Sequence, residues 1–225
     1  MEPTGLVIFD LDGTLVDSNR DLVPALNRTI AEDGLPPLAL EDVGHVVGKG
    51  AKEMLRRAFR FRDRPVDEAR IDALLPRFLE LYEAHIADET VFFDGALPAL
   101  DALSDKGWKL AVCTNKFEHL ARKLLAALGE HDRFHAITGG DTFPRRKPDP
   151  LHLTRTAQLC GVGPDRCIMV GDTDNDILAA QAVPMPSIGV TFGYTETPVA
   201  TFGPDRLIDH FAQLPEAVAA IRRAA

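Results

Sequence analysis

Acidic residues recur where short apolar runs end. Asp10 closes the run that begins at Gly5, and Asp12 follows it in Asp10-Leu11-Asp12-Gly13-Thr14. Asp172 and Asp176 come after the run Cys167–Val170, in Gly171-Asp172-Thr173-Asp174-Asn175-Asp176. Thr114 and Asn115 follow a run ending at Cys113, and Lys147 sits in Arg145-Arg146-Lys147-Pro148-Asp149-Pro150. Carboxylates gathered in one cleft repel one another, at a cost that grows as water is excluded. A hard divalent cation with oxygen ligands offsets that cost, and Mg2+ suits a few carboxylates together with waters and a phosphate. Lys147 supplies a second positive charge. Taken singly, an Asp after a strand is ordinarily a turn former or a helix cap, and Asp174 and Asn175 read that way, as exposed loop or cap residues. The functional reading rests on the joint appearance of all four groups, in order, each after an apolar run.

The elements that must position these residues follow from the pattern around them. Residues 5–10 read as a buried strand. From about residue 96, strand-length runs (Lys109–Cys113, Phe134–Ile137, Cys167–Val170, Ser187–Val190 and a weaker Arg206–Ile208) alternate with helical segments near 117–128, 149–160, 174–182 and 213–224. Strand–helix alternation implies right-handed βαβ units, hence an α/β fold with a Rossmann-like, doubly wound parallel sheet. The first strand joins that sheet. Residues 17–90 read as helix throughout: a helix capped by Asp17 or Ser18, with Leu22, Leu26 and Ile30 on one face; a second near 51–61; and a third carrying Ile71, Leu74, Leu75, Phe78, Leu79, Tyr82 and Ile86, with an irregularity at Pro76. The expected organisation is an α/β core from 1–16 and 91–225, with an α-helical cap at 17–90. Inserted after the first strand, the cap would stand above the carboxyl ends of the strands, where open α/β sheets bind ligands.

Composition narrows the class. With 25 Lys+Arg against 34 Asp+Glu the net charge is −9, which argues against a general nucleic-acid binder but permits a small anionic substrate at a locally positive site. The apolar share of 45% and charged share of 26% are those of a globular chain rather than a disordered one. No apolar run approaches the ~20 residues that span a bilayer, and the N-terminus lacks the basic and long apolar segments of a signal peptide. The three cysteines, Cys113, Cys160 and Cys167, fit no zinc spacing and read as buried reduced thiols of a cytoplasmic protein. Two imitations fail: Asp172-x-Asp174-x-Asp176 lacks the later Gly and Glu of a calcium loop, and Gly48-Lys49-Gly50 lacks the spacing, the Ser/Thr and the preceding strand of a nucleotide phosphate loop.

With these residues in view, the sequence resembles the haloacid dehalogenase superfamily of phosphotransferases over nearly its whole length. Asp10-Leu11-Asp12-Gly13-Thr14-Leu15 is similar to that family's first motif, Thr114-Asn115-Lys116 to its second, Lys147-Pro148 to its third, and Gly171-Asp172 through Asp176 to its fourth. The resemblance implies that Asp10 attacks phosphorus and becomes an aspartyl phosphate, and that Asp12 protonates the leaving oxygen and then activates water. It implies that Thr114 and the amide of Asn115 hold phosphoryl oxygens while Lys147 neutralises charge. Asp172 would bind Mg2+ with Asp10 and the backbone carbonyl of Asp12, and Asp176 would orient waters or Lys147. Asp12 points to phosphate esters rather than to dehalogenation or phosphonate cleavage. Phosphoryl transfer itself needs an in-line nucleophile and cations around the equatorial oxygens, which agrees with this set.

The loop Gly139–Pro148, the segments Phe9–Ser18 and Ala25-Leu26-Asn27, and Val47–Ala51 resemble those of bacterial phosphoglycolate phosphatases. Many of these carry an acidic or small residue where this chain has Lys49, a cation suited to the carboxylate of phosphoglycolate; Arg20 is a weaker candidate for that role, and His45 reads as a surface or capping residue. The expected substrate is a small phosphorylated metabolite, with the protein a monomer or homodimer. Alternatives are a phosphatase for a sugar phosphate, amino-sugar phosphate or nucleotide. A β-phosphoglucomutase-type enzyme is disfavoured by Gly171-Asp172 in place of a Glu-Asp pair. A catalytically silent binding module is disfavoured by the intact Asp10, Asp12, Thr114, Lys147 and Asp172.

Overall fold

The computed structural model describes residues 4–39 and 50–224. In chain order its elements are β1 (Gly5–Phe9), β2 (Val16–Asp17), α1 (Asn19–Ala31), α2 (Ala51–Phe61), α3 (Glu68–Ala84), β3 (Val91–Phe92), α4 (Ala96–Asp105) and β4 (Trp108–Cys113). These are followed by α5 (Glu118–Ala127), β5 (Ala136–Thr138), α6 (Leu151–Leu159), β6 (Cys167–Gly171), α7 (Asp174–Gln181), β7 (Ser187–Val190), β8 (Arg206–Ile208) and α8 (Leu214–Ala224). Every residue of β1 is buried, as befits a parallel strand covered on both faces. It lies inside a six-stranded sheet of order β5-β4-β1-β6-β7-β8, all of whose pairings are parallel. Side chains alternate across the sheet. Val7 and Phe9 join one core with Leu100, Leu124 and Val218, from α4, α5 and α8. Leu6 and Ile8 join a second core with Leu153, Ala157 and Ala180, from α6 and α7. The chain leaves β1 toward β4 and β5 on one side and builds β6, β7 and β8 on the other. The carboxyl ends of β1 and β6 therefore flank the switch point, where such sheets open a binding crevice.

Helices α1, α2 and α3 stand between β2 and β3, which pair antiparallel with Val16 opposite Phe92 and Asp17 opposite Val91. Leu22, Leu26 and Ile30 of α1 and Ile71, Leu74, Phe78 and Tyr82 of α3 are buried together. Each fully buried Leu, Ile or Phe contributes about 1.5–3 kcal/mol. Asp21, in the first turn of α1, is buried and accepts hydrogen bonds from the amide of Thr90 at 2.8 Å, its hydroxyl at 2.6 Å, and the amide of Glu89 at 3.1 Å. This carboxylate fastens the outgoing chain to the returning chain just before β3.

Several local expectations change. α3 runs unbroken through Pro76, and α1 likewise through Pro24. Helix α4 was not anticipated: Gly95 at φ 74° precedes it, and Pro98 stands in its first turn, where proline's missing N–H costs nothing. The strand expected at 134–137 runs from Ala136 to Thr138, because a 3-10 turn at His131–Arg133 uses the preceding residues and Phe134 caps it. Asn175 is buried rather than exposed. The three cysteines are buried and form no disulfide. Among the described residues no helix is long and apolar enough to cross a membrane.

Candidate active site

The amide of Asp10 donates to the carbonyl of Val170 at 2.9 Å, so the ladder between β1 and β6 extends one residue past the strand and fixes Asp10 at its edge. Asp10 Oδ1 accepts from the Leu11 amide at 2.7 Å. The turn after it depends on Gly13, whose φ is +83°. A Cβ there would lie 2.6 Å from Asp172 Oδ2, so only glycine lets the turn pass under that carboxylate. Asp172 follows β6 directly. Its Oδ1 accepts from the Thr14 hydroxyl at 2.8 Å and its Oδ2 from the Tyr194 amide at 2.9 Å. Asp176 closes a capping box at the start of α7: its Oδ2 accepts from the Thr173 amide at 3.0 Å and hydroxyl at 2.8 Å. Gly171 makes room for this, since a Cβ there would sit 2.3 Å from Asp176 Cγ.

Lys147 is fully buried between two carboxylates, with its Nζ 2.6 Å from Asp176 Oδ1 and 3.1 Å from Asp10 Oδ1. Asp10, Asp172 and Asp176 together bring oxygens within 4.8 Å of one another. Burial pushes Asp10 up to about 6, with Lys147 pulling against it and Asp176 adding to it. Burial pushes Asp172 up to about 8, reinforced by the Asp176 and Asp10 carboxylates. Burial opposes the charge on Lys147, but Asp10 and Asp176 outweigh it and raise its pKa. Three buried carboxylates face one ammonium. That excess negative charge, presented by hard oxygen donors, fits a divalent cation. Asp176 is paired to the Lys147 ammonium at 2.6 Å, whereas Asp172 meets only neutral donors, the Thr14 hydroxyl and the Tyr194 amide, so Asp172 carries the uncompensated charge that a cation would answer, with Asp10 beside it.

Asp12 turns away from this cluster. Its carboxylate accepts from the Ser18 hydroxyl at 2.6 Å and from Lys116 Nζ at 2.8 and 2.9 Å. Of the two expected caps of α1, Asp17 or Ser18, Ser18 holds the cap position, but its hydroxyl makes no cap bond and serves Asp12 instead. Lys116 is buried, its ammonium 4.5 Å from the centre of the Tyr82 ring. Asp10, Asp12, Thr114, Asn115, Lys116 and Tyr82 line one cavity of about 40 Å³ between the sheet edge and the inserted helices. By this measure a water takes ~10–15 Å³, so the space holds only a few.

The sequence-derived residues thus separate into two adjoining groups. Asp10, Asp172, Asp176 and Lys147 form the charged cluster. Asp12, Thr114 and Asn115 join Asp10 along the cavity, where the Asn115 side-chain amide donates to the Lys147 carbonyl at 3.0 Å. Lys49 and His45 lie outside the described residues. Arg20 does not reach the cavity: its guanidinium is half exposed and bonds Asp17 at 3.1 Å. Lys116 and Tyr82 had no assigned role. Lys116 stands within the second motif, yet nothing near it in sequence announces that α3 will cover it.

Comparison with known proteins places this geometry. The family model for haloacid dehalogenase-like hydrolases matches residues 4–183. A protein of Agrobacterium fabrum named phosphoglycolate phosphatase is 52% identical over 95% of this chain and 91% of its own length. One of the same name from Caulobacter vibrioides is 43% identical over 94% and 89%. The crystal structure of a predicted phosphoglycolate phosphatase from Haemophilus somnus superposes with a TM-score of 0.87, at 30% identity and over 95% and 97% of the two chains. With its family signature running through most of its length, and the acidic strand ends gathered at the switch point of its sheet, the chain belongs to the haloacid dehalogenase-like hydrolases.

Proposed function

We propose that this hydrolase is a Mg2+-dependent phosphomonoesterase that converts 2-phosphoglycolate to glycolate and phosphate through an aspartyl phosphate. The observation that carries phosphoryl chemistry is the buried Asp10–Lys147–Asp176 chain beside Asp172, with Asp12 one turn away on the same cavity. The choice of ester is supported by the relatives named for it. Asp10 attacks phosphorus in line, forming an O–P bond as the ester O–P bond breaks. Asp12 delivers a proton to the leaving alkoxide and later takes one from the water that cleaves the aspartyl phosphate, which restores Asp10. Thr114 and the Asn115 amide hold phosphoryl oxygens, and Lys147 offsets their charge. Asp176 keeps Lys147 in place. Mg2+ held by Asp10 and Asp172, with the Asp12 carbonyl, would supply positive charge at the phosphoryl oxygens.

Residues 17–90 act as a cap on a core made of 1–16 and 91–225. The cavity lies between the inserted helices and the sheet edge, and motion of the cap admits the ester and then shields the intermediate from water. The test is phosphate release with Mg2+ across 2-phosphoglycolate, hexose phosphates, nucleotides and N-acetylmuramate 6-phosphate, with Asp10→Asn as control. A kcat/KM for phosphoglycolate ~100-fold above the rest, about 2.7 kcal/mol of discrimination, is expected. Broad, weak activity lost in Asp10→Asn would discard the phosphoglycolate assignment and keep the phosphatase.

A further inference from the structure

A short phosphate ester that carries a carboxylate must have that second anion received somewhere beyond the phosphoryl site. Arg20 is turned away on Asp17. The buried cation on the cavity wall next to Asp12 is Lys116, which approaches both Asp12 oxygens and lies against the face of Tyr82. The Tyr82 hydroxyl is buried on the same wall and has no hydrogen-bond partner among the described residues. A buried hydroxyl without a partner is costly, and here it stands beside an ammonium. The remaining wall, including Leu22, Met54, Phe78, Leu79 and Leu120, is apolar. Among the described residues it offers nothing to the hydroxyls of a sugar.

We infer that Lys116 and Tyr82 together form the receiver for the substrate's carboxylate and so determine specificity for a short carboxylate-bearing ester. In phosphoglycolate the carboxylate is one methylene from the ester oxygen, and Asp12, which must reach that oxygen, is in direct contact with Lys116. The carboxylate accepts one hydrogen bond from the Lys116 ammonium, charge-assisted, and one from the Tyr82 hydroxyl. Lys116 comes from the loop after β4 and Tyr82 from α3, so the bound anion ties the inserted helices to the sheet edge. The same contact takes over from Asp12 as partner of the ammonium, which frees Asp12 to hold the proton it gives to the ester oxygen.

This inference rests on the phosphoglycolate reading, and its test separates the two. Steady-state kcat/KM is measured with Mg2+ on 2-phosphoglycolate and on ethyl phosphate, which has the same two-carbon chain without the carboxylate. The proteins are wild type, Lys116→Gln, Lys116→Arg and Tyr82→Phe. Expected is a strong wild-type preference for phosphoglycolate. That ratio falls about 30-fold in Lys116→Gln and about 5-fold in Tyr82→Phe, chiefly through KM, and recovers in part in Lys116→Arg. An equal loss on both esters in Lys116→Gln, with the ratio kept, overturns the inference and leaves the substrate reading intact. A wild type without the preference overturns both. Should Lys116→Gln fail to fold, Tyr82→Phe decides, since it removes one oxygen from a retained ring; an unchanged ratio there overturns the inference.

Discussion

Removing divalent metal should make the folded protein lose stability as pH rises through neutrality, and Mg2+ should abolish that slope. Asp172 is the group responsible: burial and the neighbouring carboxylates place it at about 8, against an ordinary value of 3.8. Between those values the folded state keeps this proton and the unfolded state has released it. Stability is then fully present below the unfolded value and is lost as pH rises toward about 8. One proton of difference amounts to about 1.4 kcal/mol per pH unit. Asp10, at about 6, adds to the loss only at lower pH. His152, buried and pushed down to about 3 by burial and by Lys147, has the opposite slope, confined to pH below the ordinary histidine range. The clean window is therefore about pH 6.5 to 8, with an expected loss of about 2 kcal/mol. For a chain of this size that is a fall in Tm of roughly 4–8 °C. The assay is thermal unfolding in EDTA and in excess Mg2+ across that window, on wild type and Asp172→Asn. A flat Tm in EDTA, or the same slope with Mg2+ present or with Asp172 replaced, would refute the account of the buried acidic cluster.

Three further outcomes follow from the geometry. Asp10→Asn should lower phosphate release at least ~1,000-fold, with the circular dichroism spectrum retained, because the proposed mechanism loses its nucleophile while the side chain keeps its shape. Asp21→Ala strands the amide and hydroxyl of buried Thr90, while the amide of exposed Glu89 turns to water; urea unfolding should show a loss of about 2–6 kcal/mol, each of the two stranded donors costing ~1–3 kcal/mol. Gly13→Ala drives a methyl group against Asp172 Oδ2, so calorimetric Mg2+ affinity should fall at least ~10-fold while an unchanged affinity would show that the turn relaxes at little cost.

Legibility in the sequence tracked how local the cause was. Asp10 and Asp172 could be found because each directly follows an all-buried strand, and the strand's apolar run marks the place. The parallel sheet could be read for the same reason. Asp176 was legible from its place after the run Cys167–Val170 and from the resemblance to the fourth motif, although the capping box that locks it shows only in three dimensions. Lys116 is legible only as the third residue of the second motif; the Tyr82 ring that covers its ammonium lies on a helix that the chain makes much earlier. Asp21 reads as an ordinary first-turn acid, and its partners Glu89 and Thr90 lie 68 and 69 residues away. The paired strands β2 and β3 are two residues each, too short to display any period. Arg20 misled because its charge suits the task; its position, one turn from Asp17, sends it elsewhere.

The β2–β3 pair also bears on descent. It brings Asp17 opposite Val91, so everything the chain adds between these residues begins and ends at a single doorway. Asp10, Asp12, Thr114, Lys147, Asp172 and Asp176 all lie outside that stretch. A whole helical segment could be exchanged for another of different length without re-threading the sheet or displacing one of these six residues, provided the newcomer brought its own counterpart to Tyr82 and its own clasp to replace Asp21. On the proposed roles, the choice of what is hydrolysed can thus change apart from the act of hydrolysis, with the short ribbon as the seam between them.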